Sequence, residues 1–206
     1  MSRMSDSSRR PAGAAVLRQE VTGAIIEAAL AELTDHGYAR MSMDAVARRA
    51  GVGKAAIYRR WSSKEPLVLD LLTELADQAV PLPDTGTLYE DVAGFVRHTS
   101  ALRADDRAMR ILTDLTAEAT RNPRLATAMH TTAELPRRAA ATELLQRAVD
   151  RGELPADLDL DLATDCLIGL AYLRPRTPWQ PSEPLDPGVL ARLVEVILAA
   201  LTACRG

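Results

Sequence analysis

The stretch AGVGKAAIYRRWSSKEPL, residues 50–67, sets a glycine-flanked lysine, a tyrosine, two arginines, a tryptophan and a second lysine close together. Two readings compete for it. Gly51-Val52-Gly53-Lys54 suggests a loop that cradles phosphates, and Tyr58-Arg59-Arg60-Trp61 suggests a segment laid against nucleic acid. A phosphate-binding P-loop needs glycine five residues before the Gly-Lys pair and Ser or Thr directly after it. Here those positions hold Arg48 and Ala55. No strand pattern precedes the loop either, so the nucleotide reading fails.

The flanks favour the second reading. From about Leu17 to His36, Val21, Ile25, Ile26, Ala29, Leu30 and Leu33 share one face, as in an amphipathic helix, and Gly37 supplies its stop. Ser42 is placed to cap a second short helix, with Asp44 at the positive end of its dipole. That helix stops at Gly51, and Lys54–Trp61 has length for two further turns. Two short helices joined by a glycine-containing turn make a helix-turn-helix. The second helix of such a unit enters a DNA major groove, which favours small or flexible leading side chains with phosphate-reaching donors at the edges. Lys54, Ala55, Ala56, Tyr58, Arg59, Arg60 and Lys64 meet that description. A fourth helix follows, and Ser63 is the better cap for it than Ser62. With Ser63 as cap, Pro66 falls third, where its missing N–H is not needed.

Charge agrees with this placement. Residues 1–66 hold 11 Lys and Arg against 7 Asp and Glu, whereas the rest holds 14 against 21. A basic unit on an acidic body points to a polyanion partner at one end only. The chain is 47% hydrophobic but only 3% aromatic, so its core is aliphatic and its expected fold all-α. The helical pattern predicts about nine helices: a disordered arm over 1–16, a helix-turn-helix domain over 17–66 and a helical bundle over 67–206. Helices are expected near 87–103, 105–120 and 123–151, the last bent or broken near Pro136, then Asp161–Leu173 and Pro187–Cys204. Prolines 175, 178, 181, 184 and 187 recur every third residue, the polyproline II period, and suggest a stiff strap bearing Trp179.

Gly37-Tyr38, Ser42-Met43, Ala50-Gly51-Val52, Lys54, Tyr58, Trp61 and Ser63-Lys64-Glu65 together resemble the DNA-binding domain of the TetR (tetracycline-repressor) family of bacterial regulators. The resemblance covers about a quarter of the chain. It implies that Ser42, Lys54, Tyr58, Arg60 and Lys64 contact the DNA backbone while Met43, Asp44, Ala55 and Ala56 face base edges. Three departures bear on which operator is read. Gly53 stands where a serine cap is common, Ala56 where threonine is common, and Asp44 is acidic. Asp44 has two readings, a hydrogen bond to a cytosine amino group or simple stabilisation of the helix dipole.

One short helix reads too few base pairs to select a site in a genome, so a homodimer on a palindrome is expected. The last two helices offer Leu162, Cys166, Gly169 and Leu173 on one stripe and Leu190, Leu193, Val194, Ile197 and Leu201 on another as a dimer interface. Phe95, His98, Met109, Leu112, Met129 and His130 are candidates for a cavity that takes an apolar or amphipathic small-molecule effector. No catalytic residue, metal site or cofactor is expected. The three histidines lack ligand spacing, and Asp157, Asp159 and Asp161 mimic a calcium loop without its glycine or its closing glutamate. Cys166 and Cys204 read as small core residues of a reduced, cytoplasmic protein, and neither a secretory signal nor a membrane span is expected. The rival readings are a constitutive DNA binder without ligand and a helical enzyme or carrier with a merely solvated basic end.

Overall fold

The computed structural model describes residues 12–77, 84–172 and 185–206; the expected arm, Leu173 and the proline strap with Trp179 fall largely or wholly outside them. The described residues form ten α-helices: α1 (Ala12–Arg40), α2 (Met43–Arg49), α3 (Lys54–Tyr58), α4 (Lys64–Asp77), α5 (Leu88–Ala104), α6 (Asp106–Ala119), α7 (Pro123–Met129), α8 (Leu135–Asp150), α9 (Leu160–Ala171) and α10 (Pro187–Ala203). A π-helical turn, His130–Glu134, joins α7 to α8. Counted as one rod, Pro123–Asp150 brings the number to the expected nine. Two compact units divide the chain at Leu71/Leu72, inside α4, rather than at the expected 66/67.

In the N-terminal unit, Ile25, Ala28, Ala29 and Leu33 of α1 are buried. Gly37, at φ 71° and ψ 166°, breaks the helix as its left-handed φ requires. Tyr38 beyond it turns inward to 5% exposure. The Ser42 hydroxyl oxygen accepts the Ala45 N–H at 3.2 Å and caps α2. At the other end of α2 the Gly51 N–H reaches Arg48 O at 3.2 Å and the Val52 N–H reaches Ala47 O at 3.0 Å. That pair of bonds is a Schellman ending, which needs the left-handed φ of 67° that Gly51 adopts. α3 is shorter than the expected Lys54–Trp61. Arg60 and Trp61 bend away in a turn, both donating to Ile57 O, because Trp61 is drawn into the core. Its indole N–H finds Asp70 at 2.8 Å. With α4 starting at Lys64, Pro66 sits third, as the capping argument requires.

The C-terminal unit is built on α5, α8, α9 and α10, with α6 packed against α5 and α7 against α6. Its core is Val92, Phe95 and Val96 of α5, Leu144 and Leu145 of α8, Leu167 of α9, and Val194, Ile197 and Leu201 of α10. The last three are 0% exposed within a single chain. That corrects their assignment to a dimer interface, since their surface is already spent on their own subunit. The rod is not broken at Pro136. Proline cannot donate to the carbonyl four residues back and its ring crowds that oxygen. The helix widens just before it instead, and the Leu135 N–H bonds His130 O, five residues back. Cys166 and Cys204 are free thiols, their sulfurs 3.8 Å apart. Burial, with Cys166 alongside, pushes the Cys204 thiol up to about 11, which keeps it protonated as a core residue.

A buried carboxylate ties the start of α5 to the end of α8. Asp91, with 0% exposure, accepts the Thr85 N–H at 2.8 Å, the Thr85 hydroxyl at 2.7 Å and Arg151 at 3.2 Å. Arg151 also bonds Glu153, which accepts the Leu88 N–H at 2.7 Å. Burial alone would push the Asp91 carboxyl up, but the Thr85 and Arg151 bonds outweigh it and hold it below the ordinary aspartate range. A depressed folded-state pKa contributes stability above the unfolded value and loses it as pH falls through the folded one. Asp91→Asn is expected to cost about 1–3 kcal/mol at neutral pH. In urea melts the gap to wild type should narrow as the pH is taken below about 4.

Candidate nucleic-acid interface

The face of α3 is supported from behind and open in front. Ile57, fully buried, anchors the helix to the N-terminal core. On the opposite side Lys54, Ala55, Tyr58 and Arg59 are exposed, Tyr58 at 48%. Gly53 occupies the N-cap position and makes no side-chain cap, so α3 relies on tertiary packing for its order. Ala56 is half-buried, on the edge of this face.

The surrounding charges are partly committed. Lys54 forms an ion pair with Asp44 across the turn. Asp44 also lies in the first turn of α2, so dipole and ion pair together account for it. Arg60 donates to the Thr22 hydroxyl on α1 at 2.6 Å and lies over the Trp61 ring at 4.6 Å. Lys64 is half-buried; its ammonium donates to the carbonyls of Tyr38 at 2.7 Å and Ala39 at 3.0 Å and sits over the Tyr38 ring. Two of its three donors therefore fasten α4 to the end of α1. Arg49 is held by Glu32, at 3.1 Å, and by Asp35. Arg48 and Arg59 are exposed and have no side-chain partner among the described residues. Arg48, at the end of α2, was not singled out by the motif; an arginine two residues after the buried Val46, and so turned to the far side of the helix, was the available signal.

Met43 departs from the expectation. It is 6% exposed and packs into the N-terminal core, because the first residue after the Ser42 cap points back toward α1. Its assignment to a base-reading position is corrected to core.

The candidate effector residues scatter. Phe95 is part of the close-packed core, and His98, Met109 and Met129 are half-buried. Leu112 is 44% exposed on α6, at the flank of the buried stripe of Ile111 and Leu115. His130 is exposed and paired with Glu134 at 3.1 Å within the π turn. Both are corrected from pocket wall to surface. No hydrogen bond or ring contact joins any two of the six among the described residues. Two arginines that the helical pattern passed over, Arg103 and Arg137, instead meet at the ring of Tyr172. No helix among the described residues is long and apolar enough to cross a membrane.

Comparison with known proteins meets this geometry. Residues 25–71 match the family model "Bacterial regulatory proteins, tetR family", and residues 82–197 match "Tetracyclin repressor-like, C-terminal domain". An uncharacterized HTH-type transcriptional regulator of Mycobacterium tuberculosis is 35% identical over 182 residues, 84% of each chain. The DNA-binding transcriptional repressor TetR of Mycobacteroides abscessus is 32% identical over 186 residues, 87% of this chain and 93% of that one. The crystal structure of the TetR family transcription regulator SCO0332 superposes with a TM-score of 0.62 at 31% identity, covering 88% of this chain and 98% of that one. A buttressed helix-turn-helix with an open basic face, followed by a helical body that matches the family's own C-terminal domain, leaves one conclusion: the chain belongs to the TetR family of DNA-binding transcriptional regulators.

Proposed function

We propose that the protein is a repressor that binds a palindromic operator as a homodimer, each copy laying α3 in a major groove, and that a small amphipathic molecule bound by the C-terminal unit releases it. The observation that carries this reading is the exposed row Lys54, Ala55, Tyr58 and Arg59, backed by the buried Ile57 and Trp61. Side chains that reach phosphate set register, and those at base edges set sequence. Tyr58, Arg59 and Arg48 suit the first task and Ala55 the second. Lys64 acts chiefly by fixing where α4 begins, with one donor left for phosphate. A ligand releases DNA only by preferring an arrangement that DNA does not. The helix α4, whose residues belong to both units, is the lever for such a shift.

Dimerisation falls to the outward side of α9 and α10. Leu162 is 47% exposed and Val196 55% exposed, and the exposed Gly169 leaves room for a close helix approach. Cys166, Leu190 and Leu193, partly buried against their own core, border this face.

Two measurements test the reading. With operator DNA recovered by genomic selection, Arg59→Ala should weaken binding to all sequences and reduce the slope of log K against log salt by about 1. Ala55→Ser should change the preferred sequence and leave that slope intact. A wild-type protein indifferent to duplex DNA at low salt would overturn the assignment. In sedimentation, Val196→Arg should give monomers that keep wild-type helix content. Ile197→Ala should instead remain dimeric and lose about 2–5 kcal/mol in denaturant melts.

A further inference from the structure

In the acidic C-terminal unit several arginines find carboxylates. Arg138 meets Asp161 and Asp165, Arg151 meets Asp91 and Glu153, and Arg97 meets Glu90. Arg137 does not. It donates through Nη1 to the Tyr172 hydroxyl at 2.9 Å, and its guanidinium lies over the same ring, 5.1 Å from the centroid. Its Nε is buried and has no hydrogen-bond partner among the described residues. A second guanidinium, that of Arg103, lies 5.2 Å from the same centroid. Two like charges are thus gathered at one aromatic ring.

Their position on the helices is as informative as their pairing. On α5 the buried positions Val92, Val96 and Thr99 lead at helical spacing to Arg103. On α8 the buried positions Ala148, Leu144 and Ala141 lead back to Arg137. Tyr172 caps α9, continuing at helical spacing from the buried Thr164 and the half-buried Ile168. The inward stripes of three helices therefore change from aliphatic to cationic and phenolic where α5 ends, α8 begins and α9 ends. A buried guanidinium N–H with no acceptor is costly, and an anion supplies the acceptor in the forked geometry that arginine presents.

We infer that Arg103, Arg137 and Tyr172 form the head-group site for an amphipathic anion, a molecule with an aliphatic body and a carboxylate or phosphate end. Arg137 gives the anion its Nε–H, Arg103 supplies a second positive charge, and the Tyr172 ring holds both cations in place. This deepens the effector reading above and rests on it for the consequence, release of DNA, but not for the binding itself.

Calorimetric titration of the full chain at low ionic strength with decanoate, decanoyl-CoA and decanol tests the site. Wild type should take at least one of the two anions at least about tenfold more tightly than decanol. Preference for decanoate alone marks a carboxylate head, and preference for decanoyl-CoA alone a phosphate-bearing one. Arg137→Met should abolish the preference and leave decanol unaffected, whereas Arg137→Lys should keep part of it. Should Arg137→Met fail to fold, Arg103→Met gives the same readout. Decanol binding as tightly as both anions, binding of neither anion, or equal loss of all three probes in Arg137→Met would overturn the proposal. Operator release is read separately. An anion that binds through Arg137 yet leaves the operator complex intact upholds the site and sinks the effector reading. Release by decanol without charge preference does the reverse.

Discussion

A helix of five residues cannot hold itself together. Fixing its first turn costs more than its few hydrogen bonds return, and α3 lacks even a side-chain cap. Its order is borrowed from three neighbours: the Schellman ending at Gly51 that aims it, the buried Ile57 beneath it, and Trp61, pinned by Asp70, just after it. Arg60 and Lys64 extend the same fastening to α1, one through Thr22 and the other through the carbonyls of Tyr38 and Ala39. The open face of α3 is therefore a by-product of tight packing on its reverse side. Residues that the family motif suggests as phosphate ligands are partly structural fasteners.

The same division between inner and outer duty governs the C-terminal unit. Along α10 neighbouring residues have opposite fates, with Ile197 fully buried and Val196 more than half exposed. A single step along the helix separates a residue that holds the helical unit together from one left at the surface. The Asp91, Arg151 and Glu153 network does comparable work at the ends of α5 and α8, where Glu153 also accepts the N–H of Leu88, which as the first residue of α5 has no partner within the helix. Polar residues there replace what a short loop could not supply by packing.

Much of this was legible in the residues. The cap at Ser42, the stop at Gly37, the turn at Gly51 and the place of Pro66 each follow from local backbone chemistry, which acts over a few positions and is written in the sequence directly. Helix existence follows from apolar periodicity for the same reason. What periodicity does not give is the direction in which a broad apolar stripe looks. Met43, Leu112, His130, Val194, Ile197 and Leu201 were misplaced for that one reason: a stripe shared between the core and the surface divides only when neighbouring helices are positioned. The pairing of Arg137 with Tyr172, 35 residues apart, was beyond any local pattern. An arginine continuing a buried stripe was nevertheless its visible trace.

The π turn ahead of Pro136 sets the phase of everything after it. Carried forward at 3.6 residues per turn from the buried Leu125, an unbroken α-helix would bring Glu143 and Arg147 inward, each residue advancing the face by about 100°. The wider turn absorbs one extra residue, so Leu144 and Ala148 arrive instead. By the same shift Arg137, rather than Pro136, lands at the inner end of α8. One surplus residue in the backbone thus works as a phase adjuster, choosing which row of side chains the last third of the rod turns toward its neighbours.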